Sequence, residues 1–325
     1  MSVKNRPRNR VQRAVGAVSV LGLFVVATGA SISLHGHPVR FSATVVADSL
    51  PRFAPASTGL VFLDSLLGRS GKLRARFVEA ASPNLPILSQ LFGDSAGQNA
   101  GVYEVNDSSA TGKAFAFITM RPFADKKNGR IGSYRIGYWP GERRATRGPS
   151  YTRPDGFVEV TPENQDTYVS EHFRLRDFLT HDQETVWPKY VVVDARLLDK
   201  LELLIDELGN SGLRVDHMSV LSGFRTPQYN VKGVGEGGRA KSSRHQYGDA
   251  ADVFVDNDGD GRMDDLNGDG RVDHRDARVI LDAAERVEQS HPDLAGGVAV
   301  YSATKAHGPF AHIDARGSRV RWGKL

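Results

Sequence analysis

The chain has 325 residues, 40% hydrophobic and 25% charged, enough for one or two well-cored domains of an ordinary water-soluble protein. Its net charge of +4 overstates its basicity: subtracting the five bases Lys4, Arg6, Arg8, Arg10 and Arg13 from the 42 leaves 37 against 38 acids, so a general nucleic-acid surface is not supported despite a pI of 9.2. The absence of cysteine rules out disulfides and leaves only nitrogen and oxygen to bind any zinc.

Those five bases precede an uncharged apolar run from Ala14 to Leu34. Such a pairing predicts an export signal over residues 1–34, with small residues Thr28 and Ala30 before a cleavage point. The run is also long enough to stay as an inner-membrane anchor. Either way the remainder is expected outside, in the periplasm or cell envelope.

Residues 40–167 read as an accessory region, β-rich in its second half. Gly59–Leu67 and Leu73–Ala81 suggest short helices, and the Gly, Ser and Asn cluster from Gly93 to Ala110 suggests a loop. Ala114–Met120, Ser133–Tyr138 and Gly156–Thr161 are β-branched and aromatic between turn residues, as strands are. From 168 to 325 the pattern changes. Tyr190–Val193 predicts a strand. Leu197, Leu198, Leu201, Leu204, Ile205 and Leu208 form one helical stripe, with Gly209 as its stop. Val215–Ser222, Asp249–Val255, Val298–Tyr301 and Phe310–Ala315 predict further strands, and Ile280–Gln289 a helix. Helices and strands without strict alternation imply an α+β class, a small mixed sheet with flanking helices.

The chemistry concentrates in this second region. His245, Asp252 and His312 are two imidazoles and a carboxylate, a set that leaves a fourth position for water on a catalytic zinc. Residues two apart on a strand share a face, so His312 and Asp314 share one, and Asp252 on a neighbouring strand can meet them. His245 would join from the preceding loop. A zinc there would activate water for hydrolysis.

Ser222-Gly-Phe-Arg-Thr-Pro227, then Ser243-Arg-His-Gln-Tyr-Gly-Asp-Ala-Ala-Asp252, then His312-Ile-Asp-Ala-Arg316 resembles the M15 family of zinc peptidoglycan peptidases. The likeness covers roughly residues 170–325. It implies the hedgehog/DD-peptidase fold, zinc on His245, Asp252 and His312, Ser243 supporting them, and Arg225 facing the reacting centre. It also implies a peptidoglycan peptide substrate, cut as a D-Ala-D-Ala carboxypeptidase or a murein endopeptidase. Several members carry a glutamate three residues before the last ligand. Here that position is Pro309, which leaves His307 and Asp314 as alternative proton acceptors, Asp314 being equally suited to orienting His312. A non-catalytic cell-wall-binding module with a calcium-stabilised fold is the competing expectation.

An acidic insert spans 256–276. Counted from Asp265, it places Asp265, Asn267, Asp269, the Arg271 carbonyl, Asp273 and Asp276 at positions one, three, five, seven, nine and twelve of an EF-hand loop. Gly270 supplies the turn at six and Val272 at eight is expected to dock inward. A second register runs from Asp256 through Asp258, Asp260 and Asp264, but ends on Asn267 and is incomplete. The expected ion is a structural Ca²⁺.

Overall fold

In this computed structural model the described residues are 19–20, 23–26, 41–45, 66–80, 86–107, 114–142, 151–235 and 238–324. Most of the apolar N-terminal run, and residues 59–65 of the first expected helix, lie outside them. No helix among the described residues is long and apolar enough to cross a membrane.

The protein is mixed α and β, with two main sheets. The larger contains β1 (Ser19–Val20), β2 (Leu23–Val26), β3 (Phe41–Val45), β4 (Ala75–Glu79), β5 (Gly101–Asp107), β6 (Phe115–Pro122), β9 (Gly156–Val160) and β10 (Lys189–Val191). A two-residue hairpin, β7 (Arg130–Ile131) and β8 (Tyr134–Arg135), stands apart from it, and a short helix α1 (Pro86–Phe92) precedes β5. The expected helix over Leu73–Ala81 is β4 instead. Leu73, Ala75 and Phe77 alternate with Arg74 and Arg76, and that period of two is satisfied by parallel pairing with β6. The expected loop over Gly93–Ala110 contains β5, whose Val102, Tyr103 and Val105 are buried. Its Gly-, Ser- and Asn-rich flanks obscure an apolar strand.

β9 and β10 pair antiparallel across residue 168. One buried cluster runs from Leu73 and Ile118 through Phe157 and Leu197 to Ile313, so the accessory and C-terminal regions share a core.

The second sheet has the order β11 (Met218–Ser222), β12 (Ala250–Val255), β14 (Phe310–Asp314), β13 (Gly297–Tyr301) and β15 (Val320–Gly323). Only the β13–β15 pair is parallel, so this small sheet is mixed. Helices α2 (Ala195–Asn210) and α3 (His274–Ser290) pack on each other and on β14, and α3 also on β13. All six predicted apolar residues of α2 are buried. The helix continues through Gly209; the left-handed residue is Gly212, φ +85. The Gly212 N–H bonds the Gly209 carbonyl and the Leu213 N–H bonds the Leu208 carbonyl, a Schellman ending.

Candidate metal centre

Strand register builds one face of the small sheet. Ser222 lies opposite Asp252, Asp252 opposite His312, His312 opposite Ala299, and Ala299 opposite Trp322. A single row thus crosses all five strands. The small Ala299 lets the Trp322 ring reach His312, at 5.1 Å between centroids.

His245 comes from a 3-10 turn, Arg244–Tyr247, that Ser243 opens and Gly248 closes. Gly248 has φ +75, and a Cβ there would meet the Val192 carbonyl oxygen at 2.4 Å. No other residue fits both constraints. The buried Arg244–Asp249 ion pair braces the turn from behind. Arg225 is positioned by the segment after β11, where the Thr180 hydroxyl donates to the Phe224 carbonyl and accepts the Thr226 N–H. The Arg225 N–H donates to the His245 carbonyl at 3.0 Å, joining the two segments.

The side chains of His245, Asp252 and His312 are almost fully buried, and their ligand atoms converge. His245 Nε2 lies 3.2 Å from Asp252 Oδ1 and 3.1 Å from His312 Nδ1. His312 Nδ1 lies 2.8 Å from the same Asp252 oxygen. The other nitrogen of each ring has its own partner. His245 Nδ1 faces the Gly223 carbonyl at 2.7 Å, which can only accept, so Nδ1 carries the proton. His312 Nε2 faces the Asp314 carboxylate at 3.2 Å and is likewise the protonated nitrogen. With protons on the outer nitrogens, His245 Nε2, His312 Nδ1 and Asp252 Oδ1 can all present lone pairs to one point, an arrangement that suits a cation. Tetrahedral zinc with bonds of about 2.0–2.1 Å separates its ligand atoms by about 3.3 Å, close to the three distances here. The donor set fits.

The electrostatics follow the same contacts. Burial would raise the Asp252 carboxyl, but contact with His245 and His312 holds it well below its usual range. Burial drives the His245 imidazolium down despite Asp252. Burial also opposes the charged form of His312, yet its bonds to Asp252 and Asp314 outweigh that and its pKa is raised. A metal needs the carboxylate ionised and both imidazoles neutral, so binding here would displace the proton that Asp252 and Asp314 favour on His312.

Arg225 contacts the outer oxygen of Asp252 through Nη2 and the Ser222 hydroxyl through Nε, 2.8 Å away. Asp314 does not join the converging group. It sits behind His312, takes the Gly297 N–H at 2.7 Å and pairs with Arg316. A Cβ on Gly297 would lie 2.3 Å from its Oδ2, so glycine there makes the space. His307 stands outside the cluster, its ring edge-on to Phe310 at 4.9 Å. Phe310 stacks on Tyr301, whose hydroxyl accepts from Trp322 Nε1 at 2.8 Å. Trp322 and Tyr301 carry no local sequence signal, because strand pairing alone brings them here, whereas Ser222 opened the first motif. Arg316 stood in the third motif, two residues past Asp314.

In the insert the two registers differ. Asp256, Asp258 and Asp260 bring one ligand atom each within 4.8 Å of the others. Asp265, Asp269, Asp273 and Asp276 do not form such a group, and Val272, expected to dock inward, is 47% exposed. Asp264 accepts the Asn257 N–H at 2.9 Å. Asn267 and Asp269 accept N–H bonds from Asp269 and Arg271 within the loop.

The family models, the curated proteins and the solved structures each give no relative for this chain.

Proposed function

We propose that the chain is an exported zinc metallopeptidase that hydrolyses peptide bonds in peptidoglycan stems or cross-links. The observation that carries the reading is the convergence of His245 Nε2, Asp252 Oδ1 and His312 Nδ1, each of the two rings held by a partner on its far side. The peptidoglycan substrate rests on the resemblance of the three motifs to the M15 family.

Zinc in this position would supply Lewis acidity and a water ionised near neutral pH. Arg225, fixed by Ser222 and Asp252, offers a cation to a substrate carboxylate or to the oxyanion that develops on the scissile carbonyl. Asp314 holds the His312 tautomer and is itself neutralised by Arg316, which makes it an orienting group. The proton acceptor is then His307. Its Nδ1 lies 2.8 Å from the Gly308 carbonyl, so that nitrogen donates and Nε2 remains free to accept.

The test is zinc analysis of the purified full chain, with digestion of purified muropeptides by wild type and His245→Ala. Wild type should carry about one zinc and release peptide fragments whose masses identify the bond cut. A zinc-free wild type that leaves muropeptides intact would refute the reading.

A further inference from the structure

The structure reverses the order of the two acidic registers. In the downstream one, Asp269 and Asp273 are paired with Arg275 at 2.7 and 2.8 Å. Both oxygens of Asp276 accept backbone N–H groups, from Leu266 and Asn267 on one and Asp273 on the other. In the upstream one, position eight is Met263, which is 3% exposed and part of the main core. Position six is Gly261, with φ +80. Its N–H bonds Asp256 Oδ2 at 3.2 Å, the Asp260 N–H bonds Asp258, and the Arg262 N–H bonds Asp260. These bonds wrap the loop around the converging carboxylates of Asp256, Asp258 and Asp260.

A second observation points to an ion. Asp256 is 4% exposed, and its Oδ1 is buried with no hydrogen-bond partner. A buried carboxylate oxygen left unsatisfied is costly, and so is the approach of three like charges. No basic side chain pairs with the three carboxylates among the described residues. A cation removes both costs at once.

We propose that Asp256, Asp258 and Asp260 bind a calcium ion that pins the insert to the end of the β11–β12 pair. The donors are all oxygen and alternate along the chain at positions one, three and five, which suits a hard ion of flexible geometry. The Asp256 N–H bonds the His217 carbonyl at 3.0 Å, and Asn257 Oδ1 takes the Asp216 N–H at 2.7 Å. The ion therefore joins the entry of β11 to the exit of β12. β11 leads into Ser222 and Arg225, and β12 carries Asp252, so the pinned pair frames the metal centre.

Calorimetric titration of the metal-stripped full chain with calcium or with magnesium tests this, alongside melting curves. Wild type should bind about one calcium. Saturation at roughly a hundredfold above Kd should raise Tm by about 4 °C. The double variant Asp258→Asn/Asp260→Asn should lose both effects, whereas Asp265→Asn should keep them. Asp258 and Asp260 are exposed, and the calcium-free melting curve of the double variant reports that it folds. Four results would overturn the proposal: no calcium bound by wild type, binding retained in the double variant, binding abolished by Asp265→Asn, or magnesium bound as tightly. Hydrolysis is not read, so the zinc-peptidase reading stands or falls separately.

Discussion

Asp252 of the metal centre and Asp256 of the acidic insert lie only four residues apart, yet they belong to opposite kinds of site. The centre draws its ligands from a turn and two strands, with His245 and His312 separated by 67 positions. Its groups are buried, and each imidazole is oriented by an acceptor on its outer nitrogen. The insert draws its ligands from five consecutive residues, two of them exposed, and orients them with its own backbone N–H groups. A distant site made this way is rigid before any ion arrives, because the fold holds every donor. A local one is held by hydrogen bonds that water can replace, so its order depends far more on the ion.

The largest expected effect tests that rigidity. His312→Ala removes one donor, and also the partner of Asp314 and the ring that Trp322 covers. Zinc content should fall to background and muropeptide hydrolysis with it, while calcium binding at the insert persists. Zinc analysis and calorimetry on one sample check this. Loss of both ions together would mean that the two sites are not separate.

His307→Gln comes next. It leaves all three converging atoms in place, so zinc content should not change. Loss of a proton acceptor should lower kcat by about 10²–10⁴-fold with little change in KM. Full activity in this variant would remove His307 from the mechanism. Asp314→Asn should be milder. The amide keeps the volume but weakens the hold on His312 and leaves Arg316 without its carboxylate. Zinc affinity should drop about 10–100-fold, read by competition with a chromogenic chelator.

The legibility of the two regions in sequence follows the same contrast. Pairing of His312 with Asp314 was readable, because a strand puts alternate residues on one face. The α2 stripe was readable for the analogous reason at helical spacing. Arg225 could be named as a site residue, but its contact with Asp252 depends on the Ser222–Asp252 register and a bulge between Val220 and Ser222. Trp322 was invisible, since β15 reaches the sheet only by parallel pairing with β13. In the insert, spacing alone favoured the register from Asp265, which has an acid at position twelve. Burial supports the proposed upstream register instead: Met263 reaches the core and Val272 does not. Sequence carries the spacing of ligands, whereas the choice between two overlapping loops depends on which apolar side chain finds a cavity.

Arg275→Gln is the smallest expected effect and separates the two loops most finely. Arg275 is exposed and bridges Asp269 and Asp273, so it supplies the downstream loop with positive charge. Exposed ion pairs contribute little to stability, and Tm should stay within about 2 °C of wild type. The informative quantity is the calcium stoichiometry. If Arg275 substitutes for an ion in the downstream loop, its removal frees Asp269 and Asp273, and a second, weaker calcium should appear in the titration. The first should keep its affinity, since Asp256, Asp258 and Asp260 make no contact with Arg275. A change in the first binding step would show that the two loops share one ion, and the contrast between them would then be one of occupancy rather than of architecture.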